Sequence, residues 1–102
     1  MAKNISEEDI YRELSKIKHP EIDRTLVDLG MIRDVSLKEN KAIVTLALPF
    51  LGIPPIIRDY LVNSLQEKIN ELGKEFEVKI VEMTEKERQR FFTLGQEGWK
   101  GL

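Results

Sequence analysis

The strongest constraint on the fold is a strand–helix–strand succession in the second half of the chain. Residues 42–48 form an apolar stretch that predicts a strand. A long helix is predicted over residues 55–72, because apolar residues recur there at helical spacing and Gly73 suits the position after a helix end. Residues 76–80 then alternate between apolar and charged side chains, which predicts a strand with one buried face. A right-handed crossover through the helix makes the two strands parallel.

The first half of the chain adds a helix and one more strand. Ser6 can cap a helix that extends to about Ile17 and ends before Pro20, since the residue before a proline is disfavoured in a helix. A strand is predicted over residues 31–37. The polar turn at residues 38–41 is short, so this strand and the next are expected to form an antiparallel hairpin.

A last helix is predicted after the third strand, because residues 84–87 have the pattern of a capping box. The predicted order is therefore α-β-β-α-β-α. We expect a two-layer α/β domain of the α+β type, with a three-stranded mixed sheet and helices packed on one face. The length of 102 residues fits a single domain over residues 1–102.

Composition argues against several kinds of function. The chain has no cysteine and one histidine, His19, so it offers no disulfide, no thiolate nucleophile and no usual zinc site. Lys and Arg total 16 against 18 Asp and Glu, for a formal net charge of −2, which is unlike the basic excess of a nucleic-acid-binding protein. The sequence contains no glycine-rich phosphate loop and no triad pattern. We therefore expect no catalytic residue, no metal and no cofactor.

The sequence predicts a cytoplasmic protein. Its apolar stretches are too short and too interrupted to span a bilayer. The N-terminus is acidic and polar, which is the opposite of a signal peptide.

Asp28 is the most unusual carboxylate, because it lies among apolar residues in the connection before the first strand. In one interpretation it accepts backbone amides of a turn in which Gly30 supplies a dihedral angle that other residues avoid. In the other interpretation it faces the apolar loop at residues 49–55 and helps to form a binding site.

That loop, at residues 49–55, is unusually apolar for a connection between a strand and a helix. Phe50, Leu51 and Ile53 cannot all point inward from a proline-bounded loop that also contains Gly52. The loop is therefore a candidate docking surface for a protein. The alternative is that Phe50 and Ile53 fill the core beneath the long helix.

Two further features have a structural and a functional interpretation. Phe91, Phe92 and Trp99 either belong to a tail folded back over the sheet or form another contact patch. His19 is interpreted as a capping or surface histidine, with a catalytic role as the alternative. The segment after Met83 has no functional interpretation from the sequence.

Several of these residues also carry a family resemblance. Residues 19–22 and 26–35 resemble the DPE…LVDLGLIYDV signature of the PaaD-like iron–sulfur cluster assembly domain family. The same domain occurs in SufT-like maturation factors and at the N-terminus of Mrp-type P-loop ATPases. The similarity covers about residues 5–82 and leaves a C-terminal helix and tail over 84–102. It implies a three-stranded α/β domain that helps to assemble or deliver clusters, often through partner proteins.

One position departs from this family. Its loop ends in T-x-P-x-C-P, and the cysteine is usually tied to function. Aligned on Pro54, Ile53 takes the place of the cysteine, Leu51 that of the first proline and Pro49 that of the threonine. Clusters are held by thiolates or, in some proteins, imidazoles. Without cysteine the chain cannot hold a cluster in a familiar way, whereas docking through Asp28 and the apolar loop needs no thiol.

We therefore expect an accessory or adaptor protein in iron–sulfur cluster assembly or metalloprotein maturation, acting by protein–protein contact and not as an enzyme. The expected partner is an Mrp-type P-loop ATPase or another maturation protein, with no nucleic acid and no membrane. The residues do not decide whether the chain forms a homodimer. The predicted partner-binding residues are Asp28, Gly30, Phe50, Leu51, Gly52, Ile53 and Pro54.

Two other functions stay open. Relatives of the family accompany multicomponent oxygenases, so the chain could be a non-catalytic accessory subunit of such a complex. Small α/β domains also bind nucleic acids, which the acidic charge balance disfavours.

Overall fold

A computed structural model describes residues 5–20 and 22–98, which form three helices and a three-stranded sheet. The central strand β2 is antiparallel to β1 and parallel to β3. The predicted α-β-β-α-β-α order and the mixed sheet are thereby confirmed. The elements are α1 (Glu7–Leu14), β1 (Ile32–Lys38), β2 (Lys41–Leu48), α2 (Pro55–Glu71), β3 (Glu75–Glu82) and α3 (Glu85–Gly98).

The parallel pair β2–β3 sets the layout of the molecule. Its register is continuous from Lys41 opposite Glu75 to Leu48 opposite Glu82. Parallel neighbours need a crossover connection, and here α2 provides it. The carboxyl ends of β2 and β3 therefore lie side by side, and the chain leaves the sheet at the same end after both strands.

The sheet has one covered face. Alternate residues of β2 are fully buried, whereas Lys41, Ile43 and Thr45 between them are partly exposed. The inward stripe of α2 is also fully buried, at a spacing of four residues that keeps its members on one side of a helix. Each fully buried Val, Leu or Ile side chain contributes roughly 1.5–3 kcal/mol by leaving water. The central core residues are Ala42, Val44, Leu46 and Leu48 of β2 with Leu61, Leu65 and Ile69 of α2.

An irregularity in β1 changes which side chains face the core. Ile32 lies opposite Leu46 and Asp34 opposite Thr45, so Arg33 is an extra residue in this strand. Such a bulge shifts the alternation by one position. Ile32 is consequently buried, although the predicted alternation over residues 31–37 placed it on the other face from Met31, Val35 and Leu37.

Capping boxes begin the first and last helices; the sequence predicted the box at Thr84, but at Ser6 it predicted only the cap by the serine hydroxyl. The Ser6 hydroxyl accepts the Asp9 amide, and the Asp9 carboxylate accepts the Ser6 amide, both at 3.1 Å. At the start of α3, Thr84 and Glu87 exchange the same pair of bonds at 2.8 and 3.2 Å. Each box satisfies two amides that a helix leaves without an internal partner.

The first helix ends earlier than predicted, at Leu14 instead of about Ile17. The carbonyl of Ile17 accepts the amide of Leu26 at 2.9 Å, and Lys18 forms an isolated bridge with Thr25. These backbone groups pair with the connection that follows. Tertiary pairing therefore overrides the helical periodicity at this end.

The third strand is less buried than its pattern predicts. Phe76 and Val78 are partly buried, but Ile80 is 40% exposed. Since β3 is at the edge of the sheet, one side of the strand has no neighbour among the described residues.

We expect Gly30→Ala to lower the free energy of unfolding by about 1–2 kcal/mol. Gly30 has a φ of 74°, and an added Cβ would meet no atom within 4 Å, so the cost comes from the backbone conformation alone. Gly52→Ala is the matched control, because Gly52 has equally open space without a positive φ. Urea unfolding measures both. Equal losses in the two variants would contradict the assignment of strain to Gly30.

Candidate protein-binding site

An open apolar groove of about 410 Å³ lies where the chain leaves the sheet after β2. Four parts of the chain form it: the connection before β1, the loop at residues 49–54, the first turns of α2, and α3. His19 is the only polar side chain among the described residues that line it. The lining consists of His19, Ile22, Met31, Pro49, Phe50, Ile53, Pro54, Ile56, Ile57, Leu61, Phe91 and Phe92.

The loop presents apolar side chains to solvent. Phe50 is 47% exposed and Leu51 is 56% exposed, so Phe50 does not fill the core beneath α2. Ile53 is half-buried, and Ile56 in the first turn of α2 is 77% exposed. The loop thus forms an apolar rim, and the apolar surface continues onto the helix.

Two adjacent prolines explain why α2 begins at this rim. Proline fixes φ near the helical value and lacks an amide hydrogen, which suits the first position of a helix. Pro55 occupies that position, and the carbonyl of Pro54 accepts the amides of Ile57 and Arg58 at 3.0 and 3.1 Å. The helix therefore starts directly at the edge of the groove.

A continuous row of aromatic rings forms one side of the groove. The ring centroids of Phe50 and Phe92 are 5.8 Å apart, and those of Phe92 and Phe91 are 5.7 Å apart. His19 continues the row, edge-on to Phe91 at 6.3 Å. These separations are typical of favourable aromatic pairs. Phe91 is buried and Phe92 is 42% exposed, so α3 is a wall of the groove. Trp99, the third residue of this predicted aromatic group, lies outside the described residues.

Arg88 connects the loop to α3. Its Nε donates to the carbonyl of Pro49 at 2.9 Å, and its guanidinium carbon lies 5.2 Å from the centre of the Phe50 ring. The same side chain donates to the carbonyl of Met83 at 3.3 Å and pairs with Glu85 at 2.8 Å. Hydrogen bonds and a cation–π contact on one planar group hold the loop in a defined position.

His19 is not a surface residue, so that part of its prediction is wrong. It is 6% exposed, and its backbone amide donates to the carbonyl of Arg24 at 3.0 Å. The connection before β1 folds back on itself and places the ring against Phe91. The sequence shows only that His19 precedes a proline, and the aromatic neighbour is about 70 residues away.

The structure brings some of the predicted binding residues together and leaves others apart. Phe50, Ile53 and Pro54 line the groove, with Leu51 and Gly52 on the exposed loop beside it. The remaining two, Asp28 and Gly30, lie outside the lining.

Asp28 is exposed, and in the described part of the chain its carboxylate has no hydrogen bond or ion pair. Its backbone amide donates to the Thr25 hydroxyl at 3.1 Å. The turn therefore does not use the carboxylate as an acceptor. Whether any of these residues binds a partner stays a prediction.

Comparison with known proteins now identifies the family. A family model described as iron–sulfur cluster assembly protein matches residues 7–81. The chain belongs to this family. The resemblance inferred from the sequence is confirmed, and membership supports a role in iron–sulfur cluster assembly alongside maturation proteins.

A solved structure supports the fold of the chain. The chain is similar to the crystal structure of a domain of unknown function, DUF59, from Bacillus anthracis, with a TM-score of 0.69. The two sequences are 24% identical over 87% of this chain and 91% of that one, which shows a shared fold. A search of curated proteins finds no significant match.

The aromatic wall lies outside the family match. The matched residues 7–81 include His19, the apolar loop and α2, but they end before α3. Phe91, Phe92 and Arg88 are therefore contributed by a segment beyond the matched domain. The groove therefore includes a helix that the family match does not cover.

The donor atoms available for a metal are few. No group of three or more His, Cys, Asp or Glu side chains suited to a metal ion occurs within residues 5–20 and 22–98. Ile53, which takes the place of the family cysteine, is part of the apolar lining. This position supplies an apolar contact where the resemblance implies a thiolate. None of the described helices is both long and apolar enough to cross a membrane.

Arg88→Met should lower the free energy of unfolding by roughly 1–2 kcal/mol, because the variant keeps an apolar stem but loses charged hydrogen bonds to two carbonyls. Urea unfolding measures the change. Arg12→Met is the control, since Arg12 pairs with Asp9 on an exposed helix surface and should cost less than about 0.5 kcal/mol. Similar losses for the two variants would show that Arg88 does not hold the loop.

Glu87 should make stability depend on pH. The backbone amide of Thr84 and the guanidinium of Arg33 hold the pKa of Glu87 below its ordinary 4.5, although partial burial opposes them. Stability from a carboxyl whose pKa is lowered on folding is present above pH 4.5 and lost as the pH falls through the folded-state pKa. Urea unfolding between about pH 5 and 3 should show a smaller decline for Glu87→Gln than for the unmodified protein. Glu8→Gln, on the exposed start of α1, is the control, and identical declines for all three proteins would refute the prediction.

Proposed function

We propose that this protein is a non-enzymatic adaptor in iron–sulfur cluster assembly, and that the apolar groove holds its partner protein. Family membership supports the role in cluster assembly. The adaptor mechanism rests on one observation, which is the exposure of Phe50, Leu51 and Ile56 around a groove whose lining is apolar except for His19. Apolar surface of this kind, concentrated at one place, is typical of sites where another protein binds.

The groove has the features of an energetic centre for binding. Full burial of a large apolar side chain contributes roughly 1.5–3 kcal/mol, and covering the exposed part of Phe50, Leu51 or Ile56 contributes a fraction of that. Phe50 is already held by Arg88 and Phe92, so little side-chain freedom is lost when a partner covers it. Aromatic residues that are fixed before binding are common among the few residues that dominate interface affinity.

In this proposal the cluster is cargo, and its ligands come from the partner. Iron–sulfur clusters are held by thiolates or, in some proteins, imidazoles. The sequence contains no cysteine and a single histidine that is buried against Phe91. The contribution of this chain is therefore to position a thiol-bearing protein.

An Mrp-type P-loop ATPase is the proposed partner. The resemblance supports this choice, because the same domain occurs at the N-terminus of such ATPases. This chain carries no phosphate-binding loop of its own, so the nucleotide-dependent step would belong to a second protein. The absence of catalysis in the chain itself is part of the proposal, supported by a groove lining with one ionisable side chain among the described residues.

Phe50→Ala should weaken binding to a purified Mrp-type ATPase from the same organism by roughly tenfold or more, as titration calorimetry would measure. Tyr11→Ala is the control, because it also removes an exposed aromatic ring, from α1, which contributes nothing to the groove lining. If both variants lowered the binding affinity, the cause would be a general loss of structure, which circular dichroism would detect.

Asp28→Ala tests the second half of the predicted surface. If Asp28→Ala lowered the binding affinity as much as Phe50→Ala does, the contact surface would include both the groove and the turn before β1. Full binding by Asp28→Ala alone would confine the contact to the groove, and full binding by both variants would show that the proposed surface is wrong. Pull-down from native extract that recovers oxygenase subunits and no cluster-assembly protein would favour the accessory-subunit alternative.

A further inference from the structure

One edge of the sheet is open for pairing. The amides of Glu75 and Met83 donate towards β2, to the carbonyls of Asn40 and Leu48 at 2.8 Å. Backbone groups alternate sides along a strand, so those of the even-numbered residues 76–82 point away from β2. No strand or side chain of the described residues bonds to this outer edge.

The opposite edge of the sheet, formed by β1, is blocked by a side chain. The amide of Leu37 in β1 donates to the carboxylate of Glu7 at 2.8 Å, so a side chain from α1 occupies that edge. Natural proteins commonly block exposed edges in this way, because unpaired edges recruit other strands. β3 has eight residues and lacks such a block within the described chain.

We propose that β3 pairs with β3 of a second copy, antiparallel about a two-fold axis through Val78, to give a homodimer with a continuous six-stranded sheet. This register joins the outward backbone groups of both strands through about six hydrogen bonds. It also keeps the helices of both copies on the same face of the sheet. The proposal does not depend on the adaptor function, and it leaves the groove free because no β3 residue lines the groove.

Charge complementarity selects the register. With the axis at Val78, Glu77 lies opposite Lys79 of the second copy, and this pair occurs twice. Moving the axis to Glu77 would place two carboxylates opposite each other, and moving it to Lys79 would oppose two ammonium groups. Opposite charges across neighbouring strands are favourable and like charges are not. At the ends of the same register, Lys74 lies opposite Glu82.

The exposure of Ile80 fits the same arrangement. Ile80 lies opposite Leu46, which is fully buried, yet Ile80 itself is 40% exposed. In the proposed register Ile80 lies opposite Phe76 of the second copy, and Phe76 is only partly buried in one chain. Pairing would cover both side chains on the face of the sheet where the core lies.

Sedimentation velocity of the full chain from about 1 to 300 µM should show a monomer–dimer equilibrium, and Lys79→Glu should raise its dissociation constant roughly tenfold. The double variant Glu77→Lys with Lys79→Glu should restore association, because it exchanges the two charges. Lys86→Glu, an exposed residue of α3, makes the same change in net charge and should leave the constant unaltered. A chain that stays monomeric throughout this range overturns the proposal, as does a dimer that Lys79→Glu does not weaken.

Amide hydrogen exchange locates the contact. At high concentration the amides of Phe76, Val78 and Ile80 should become protected, whereas dilution should make them exchange rapidly. A dimer in which these amides stay unprotected would use another surface, and the proposal would be wrong.

Discussion

The parallel pairing of β2 with β3 is the constraint on which the rest of the structure depends. It requires α2 to cross the sheet, and the crossing buries Leu61, Leu65 and Ile69 over the central strand. It also brings the ends of both strands to one side of the molecule. The apolar loop after β2 and the helix after β3 are neighbours for this reason, and the groove between them follows from the strand order.

The fold was predictable because its elements are marked by local chemistry. Capping boxes, a first-turn proline and alternating strands each act over a few residues, and the elements they predict are present. The errors occur where pairing with another part of the chain determines the local structure. Helix α1 ends at Leu14 because residues 17, 18, 25 and 26 pair with one another, and the Arg33 bulge shifts the face on which Ile32 lies. Hydrophobic periodicity contains no information about either contact.

The candidate site was predictable only in part, for the same reason. Phe50 and Ile53 could be identified from the sequence, because the loop that contains them is unusually apolar for a connection between a strand and a helix. Phe91 and Phe92 carried a weaker signal, since an aromatic pair on a terminal helix is equally compatible with core packing. They are joined to the loop by the contact between the Phe92 and Phe50 rings and by Arg88, which donates to the Pro49 carbonyl and contacts the Phe50 ring; these interactions exist only after the chain folds. Such a contact leaves no spacing pattern in the sequence.

Two features of the groove bear on its chemistry: Ile53 lies where the resemblance implies a thiol, and one wall comes from a helix outside the family match. Ile53 contributes an apolar side chain to the lining, and Phe91 and Phe92 of α3 line the groove from outside the matched residues. A site that handled the cluster directly would need soft ligands and access for iron. An apolar groove instead fits the proposed contact with a protein surface. In the proposed adaptor role the chemistry of the cluster and the recognition of its carrier are separate, and only the recognition, which needs no cysteine, is assigned to this chain.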